Sequence, residues 1–274
     1  MRMLICTIGS SKRKHTLHFG AEVAKALSAD TTLLGVVGKE QQAGNLQEIL
    51  DEAARELMMR DLPVRVQVEV GNAEDIVVAE MERANYDLVA VGTLGEKRSR
   101  RAFLDSVGMR IVERAQSSVL LVKGDRTQLS RVLICASGAE HGHLAVWAGA
   151  SLACGAQARA TVLHVLDAMP AMYTGLEQME ETLAELLQSD TDRARELKWA
   201  AQVVRAECEV SEIKLRRGIV ADEILREGQV GDFDLIVLGS PRQSGGLVRI
   251  LMGDVAREVI TRAQRPVLVV RPMD

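Results

Sequence analysis

The chain has 274 residues, 47% of them apolar and only 3% aromatic, with a net charge of −4. That length suggests about two domains of ~150 residues each, with cores built from Val, Leu, Ile, Ala and Met. The charge balance gives no polyanion-binding footprint, and no apolar run nears the ~20 residues of a membrane span, so neither nucleic acid nor membrane is expected as a partner. Short apolar runs then alternate with helical patterns. The run Met3–Thr7 comes first, followed by a stripe of Phe19, Val23, Ala26 and Leu27 at helical spacing. Thr32–Val37 comes next, then the stripe Leu46, Ile49, Leu50, Ala53 and Leu57, closed by Met58-Met59, which read as core filler. Val64–Val70 alternates valine with Arg65, Gln67 and Glu69, the pattern of a half-exposed edge strand. A weaker helical pattern around Val77 and Met81, the run Leu88–Val91, the stripe Leu104, Val107, Ile111 and Ala115, and the run Val119–Val122 complete a first unit.

Beyond a short polar linker, Gly124–Ser130, the chain repeats itself. Cys6, Gly9 and Gly20 return at one constant offset as Cys135, Gly138 and Gly149. Tyr86-Asp87-Leu88-Val89 returns as Phe233-Asp234-Leu235-Ile236, and Arg114-Ala115-Gln116 as Arg262-Ala263-Gln264. Such self-similarity marks a tandem duplication, with domains expected at 1–124 and 130–274. Strands are expected at Val132–Ala136, Thr161–Leu166, Cys208–Leu215, Leu235–Leu238 and Val267–Val270. An insertion over Tyr173–Val204 reads as a longer second helix with a polar face. Strands separated by helices of this length make right-handed βαβ units and a parallel sheet. Each unit is therefore predicted to be a flavodoxin-like, doubly wound α/β domain of five strands. Ligands in such sheets bind beyond the strand C-termini where the strand order reverses, which points to the residues after strands one and four.

After its fourth strand the first unit reads Gly92-Thr93-Leu94-Gly95 and continues to Asp105-Ser106-Val107. The second reads Gly239-Ser240, then Gly245-Gly246, then Gly253-Asp254. A strand, a glycine turn and a helix start form a phosphate cradle, because glycine admits an anion close to the backbone and the helix start offers free N–H groups; the same glycines could equally serve only to turn the chain. The chain resembles a tandem universal stress protein. That family carries Gly-x2-Gly-x9-Gly-Ser/Thr between strand four and helix four, where its nucleotide-binding members hold ATP. Gly92, Gly95 and Ser106 match in the first unit, with Asp105 at the third glycine. Gly239 and Gly253 match in the second, with Arg242 at the middle glycine and Asp254 at the hydroxyl step.

The resemblance implies a Rossmann-like fold of the adenine nucleotide alpha hydrolase-like type and a site for ATP or AMP, with Mg optional. In the first unit it would use Ile8, Gly9, Gly92, Thr93, Gly95, Ser106 and Val107. In the second it would use Ser137, Gly138, Gly239, Ser240, Gly245, Gly246 and Gly253, with weaker affinity. The family's nucleotide-binding members end strand one in Asp, where this chain has Ile8 and Ser137. A carboxylate such as Asp105 or Asp254 beside a triphosphate repels it unless a metal intervenes. Lys97, Arg98, Arg100 and Arg101 would offset Asp105, or form only a solvated basic loop.

The remaining residues suggest no chemistry. His141-Gly142-His143 lacks a third ligand at a recognisable spacing, so no metal is expected. His164 reads as a partly buried strand residue. Ser10, Ser11 and Ser106 have no evident base, so no enzyme is expected, weak ATP hydrolysis apart. Cys6, Cys135, Cys154 and Cys208 read as reduced, mostly buried thiols, and the opening apolar run is too short for a signal peptide, so a cytoplasmic location is expected. A stress-response nucleotide binder is the leading expectation; a nucleotide-free interaction scaffold and a small-molecule hydrolase are the alternatives. The apolar fifth strands Val119–Val122 and Val267–Val270 should be sheet edges, and unpaired edges invite pairing. The two units are thus expected to join through them as an intrachain pseudo-dimer, and a further homodimer would use the inserted segment.

Overall fold

The computed structural model describes residues 1–8, 13–59, 61–92, 107–137, 140–166, 183–208, 211–240 and 254–272. In the first half, β1 (Arg2–Ile8), α1 (Arg13–Ala26), β2 (Asp30–Val37), α2 (Ala43–Met58), β3 (Val64–Val70), α3 (Ala73–Ala84), β4 (Leu88–Gly92), α4 (Val107–Arg114) and β5 (Ser118–Val122) follow the predicted order. The second half runs β6 (Arg131–Cys135), α5 (Glu140–Gly155), β7 (Arg159–Leu166), α6 (Leu183–Gln188), α7 (Asp192–Glu207), β8 (Ser211–Arg217), α8 (Val220–Val230), β9 (Leu235–Gly239), α9 (Asp254–Arg262) and β10 (Val267–Val270).

All ten strands form one sheet in the order β3-β2-β1-β4-β5-β10-β9-β6-β7-β8. Each half is parallel throughout, and the halves meet in the antiparallel pair β5–β10, with Leu121 opposite Val267 and Val119 opposite Val269. The expected edge-to-edge junction is therefore the one observed. Its strands are nearly inaccessible: Val119, Leu121, Val267 and Val269 are all 0% exposed. The half-exposed β3 lies at one outer edge, as its alternation predicts.

Alternation along each strand divides the core between two faces. Met3 and Ile5 join Phe19, Val23, Leu46 and Leu50 on one face, and the same cluster continues into Ala150, Val203 and Leu268 of the second half. Leu4 and Cys6 join Val77, Met81 and Ile111 on the other, which continues into Val259 and Val269. Both apolar layers thus cross the seam.

Polar contacts fasten the halves as well. Lys123, just past β5, donates to Ile260 O at the C-terminus of α9 at 2.7 Å. Its counterpart Arg271, just past β10 and 5% exposed, donates to Val112 O at 2.7 Å and to Ala115 O at the C-terminus of α4. Each half thereby supplies a cation to the unpaired carbonyls and negative dipole end of the other half's helix. The connection into β6 is pinned by Asp234, whose carboxylate accepts from Ser130 N at 2.9 Å, Arg131 N at 3.0 Å and Arg126 at 3.0 Å.

Three expectations need correction. Over residues 183–207 the insertion is two helices, not one long one, because Thr191 caps α7 by accepting from Ala194 N and the chain turns at Ser189–Thr191; residues 173–182 lie outside the described residues. Cys208 does not open the eighth strand. It caps α7, with its N–H on Val204 O at 2.8 Å, and β8 starts at Ser211. Met58 and Met59 are 53% and 79% exposed rather than core filler, because Leu46, Leu50, Ala54 and Leu57 already give α2 its buried stripe.

Candidate functional site

Between β1 and β4 the strand order reverses, since β2 and β3 lie to one side and β4 and β5 to the other. The register pairs Cys6 with Val91, so Ile8 and Gly92, the last residues of these strands, stand at adjacent strand ends. Val107 opens α4 beyond them. Ile8, Gly92 and Val107, three residues singled out from the sequence, are thus placed by strand ends and a helix start. Gly9, Thr93, Gly95, Asp105, Ser106 and the basic residues Lys97–Arg101 lie outside the described residues.

Gly92 has a local reason to be glycine. A Cβ there would stand 2.1 Å from Thr16 Oγ1 on α1, so a side chain would displace the Thr16 hydroxyl from this corner. Thr7 and Thr16, 2% and 4% exposed, bring hydroxyls into this corner. The Thr7 Oγ1 and His15 Nδ1 atoms are buried with no hydrogen-bond partner. A buried polar atom left unpaired costs about 1–3 kcal/mol, so this corner offers hydrogen bonds that the protein itself does not take up. The repeat puts Ala136, Leu144 and Ala145 at the positions of Thr7, His15 and Thr16, so these three polar side chains have no counterparts in the second half.

The second half has the same frame. Its reversal lies between β6 and β9, which pair through Ile134 and Val237. Ser137 follows β6 and Gly239 closes β9. Ser240 is 0% exposed, donates its N–H to Val270 O at 2.9 Å, and holds a buried Oγ with no hydrogen-bond partner. Asp254 is the first residue of α9 and is exposed. Gly138, Gly245, Gly246 and Gly253 lie outside the described residues.

A shallow open cleft lies beyond β6 and β7, lined by Ser137, His143, His164, Glu196 and Trp199 among others. His143 Nε2 donates to Glu196 Oε2 at 2.6 Å, and its ring lies 4.2 Å from that of Trp199. His164 Nδ1 donates to the carbonyl of Ala136 at 3.0 Å, which leaves Nε2 as the acceptor of a neutral ring. Burial lowers the His164 pKa below its ordinary 6.5, consistent with that form. Sequence spacing could not reveal this group, because α5 and α7 bring His143 and Glu196 together from positions far apart in the chain. Among the described residues no group of three or more His, Cys, Asp or Glu is arranged to hold a metal ion. Nor is any described helix long and apolar enough to cross a membrane.

The comparisons with known proteins agree with this frame. The model of the Universal stress protein family matches residues 1–123 and 129–271. Universal stress protein MJ0531 of Methanocaldococcus jannaschii is 33% identical over 109 residues, which is 40% of this chain and 62% of that relative's own length. Among solved structures, a putative universal stress protein from Pseudomonas aeruginosa UCBPP-PA14 aligns with a TM-score of 0.71 at 18% identity, covering 99% of this chain and 93% of its own. A universal stress protein from Archaeoglobus fulgidus DSM 4304 aligns with a TM-score of 0.69 at 18% identity, covering 100% and 97%. At these identities the structural likeness speaks to the fold alone.

Proposed function

Since the chain belongs to the universal stress protein family, in its tandem form, we propose that it is an adenine-nucleotide binding protein whose better site lies in the first half. The supporting observation is the corner where Gly92 ends β4 beside Ile8 of β1, at the reversal of strand order, with an unpaired Thr7 hydroxyl beneath it. In this reading the phosphates of ATP or AMP lie on the glycine turn that starts at Gly92 and on the start of α4, where N–H groups and the helix dipole favour an anion. Gly95 and Ser106 carry the spacing of the family motif. Bound Mg²⁺ would offset the charge of Asp105. The role is binding and response rather than turnover.

Gly95→Val should abolish binding of ATP and AMP in calorimetry, because a branched side chain fills the cradle. Unchanged affinity in that variant removes the assignment. Ile8 favours a second reading, a nucleotide-free interaction scaffold, since it offers no carboxylate to a ribose. Mass spectrometry of small molecules released from the purified chain separates the two. Recovered adenine nucleotide supports binding, and its absence together with a flat titration supports the scaffold.

A further inference from the structure

The four cysteines fall into two pairs of different character. Cys6 and Cys135 occupy equivalent positions on β1 and β6, are buried, and have thiols raised far above the ordinary range by that burial. Cys154 and Cys208 belong to the second half alone, because the repeat places Lys25 and Asp61 at their positions in the first half. Cys154 lies in the last turn of α5 and is exposed. Cys208 caps the C-terminus of the neighbouring helix α7 and is 7% exposed.

One carbonyl brings the second pair together. The Cys208 thiol donates to Ala150 O at 3.5 Å. In an α-helix that carbonyl is also the acceptor for the N–H four residues later, which is Cys154. Helical side chains lean back over the preceding turn, so residues four apart lie one above the other on the same face. The Cys154 side chain therefore leans over Ala150, the residue that Cys208 Sγ touches. The Cys208 thiol is pushed up to about 11, by burial first and then by the Cys154 sulfur and Glu207, in keeping with two sulfurs close together.

We propose that Cys154 and Cys208 form a peroxide-reactive pair that closes into a reversible disulfide between α5 and α7. Cys154, exposed, is the sulfur that meets the oxidant. Its thiolate attacks the peroxide O–O bond, which breaks; the sulfur is oxidised to a sulfenic acid, and the released hydroxide takes a proton to become water. Cys208 then gives up its thiol proton and attacks the Cys154 sulfur. The S–O bond breaks, a second water leaves, and the S–S bond forms. Two thiols and one hydrogen peroxide thus become one disulfide and two waters. A thiol reductant reverses the step by exchange. The bond fastens the C-terminal ends of α5 and α7, the two helices that His143 and Glu196 link at the cleft. Trp147 on α5 and Trp199 on α7 are the chain's two tryptophans, with ring centroids 6.4 Å apart, so closure has an intrinsic fluorescence reporter.

The test treats the intact folded chain with hydrogen peroxide, blocks the remaining thiols by alkylation, and maps the peptides by mass spectrometry without reduction. The expected product is a Cys154–Cys208 cross-linked peptide that dithiothreitol reverts, with Cys6 and Cys135 alkylated only after denaturation. Cys208→Ser should convert that product into a Cys154 sulfenic acid that dimedone traps. Cys154→Ser, a change at an exposed position, should slow native-state oxidation of Cys208 by about tenfold or more and remove the oxidation-dependent change in fluorescence. The pairing is overturned if peroxide takes Cys154 to sulfinic acid or to an intermolecular disulfide with no internal link, or if Cys208 oxidises as fast in Cys154→Ser.

Discussion

At the end of its second strand the first half carries Gly35 and the second half His164. Over Gly35, α2 presses so close that a Cβ would stand 2.5 Å from Leu46 Cδ2 and 2.8 Å from Leu50 Cδ1. Over His164, α7 presents Glu196 and Trp199 instead, and a shallow cleft opens beside the His143–Glu196 hydrogen bond. The corner beside strand one is changed in the opposite sense: Thr7, His15 and Thr16 in the first half face Ala136, Leu144 and Ala145 in the second. Each half therefore keeps a polar corner at one place and closes or simplifies the other. The duplication retained the frame and let the two sites diverge in chemistry.

Other differences compensate within a half. Glu80 accepts from Tyr86 Oη at 2.8 Å and from Arg83 at 2.6 Å. Phe233 replaces that tyrosine, and the equivalent Glu227 accepts instead from Lys214 at 2.7 Å and Arg216 at 2.5 Å on β8. The buried carboxylate is preserved, and its partners move to the edge strand.

The comparison presupposes one continuous sheet, and the largest expected effect breaks that. Leu121→Lys with Val269→Lys puts two ammonium groups into a seam that is 0% exposed. The double variant should lose more than about 4 kcal/mol, or come apart, because neither charge has a partner. Urea denaturation with solution scattering reads the outcome; native stability and compactness would exclude the seam as drawn.

A smaller effect is expected at Glu227, which is 1% exposed. Burial alone would raise its pKa, but the hydrogen bonds from Lys214 and Arg216 outweigh that and hold it below the ordinary 4.5. A carboxyl whose pKa is lower folded than unfolded stabilises the fold above the unfolded value, and that contribution is lost as pH falls through the folded one. Glu227→Gln should cost about 2 kcal/mol at pH 7, less than a fully buried pair because Lys214 and Arg216 are partly solvated. Its stability should also fall less steeply between about pH 5 and 3 than that of the parent. Urea midpoints across that range check both statements.

Gly35→Ala should have the smallest effect, about 1–2 kcal/mol from overpacking, because the Leu46 and Leu50 tips it meets can shift. Thermal melts of this variant measure how tightly the first half is closed where the second is open. An unchanged melting temperature would show that the close approach of α2 costs nothing to relax.

Much of this architecture is legible in the sequence, because periodicity and repetition survive divergence. Val119–Val122 and Val267–Val270 declare a junction by being apolar at positions the fold makes edges. Gly92 and Gly239 close the fourth strands, and Ile8 and Ser137 lie at or just past the ends of the first, because the apolar runs stop there in both copies. The break before α7 escaped the sequence reading, although Ser189-Asp190-Thr191 is made of residue types that cap helices. The His143–Glu196–Trp199 group and the approach of Cys208 to Ala150 left no such trace. They arise from packing between α5 and α7, and no spacing along the chain encodes that contact.

The most direct test of the two-site account is a calorimetric titration of the intact chain with ATP and Mg²⁺, repeated on Gly95→Val and Gly245→Val. The account predicts one dominant site per chain, lost in Gly95→Val and retained in Gly245→Val. Two equal sites, or a dominant site that survives Gly95→Val and disappears in Gly245→Val, would contradict it.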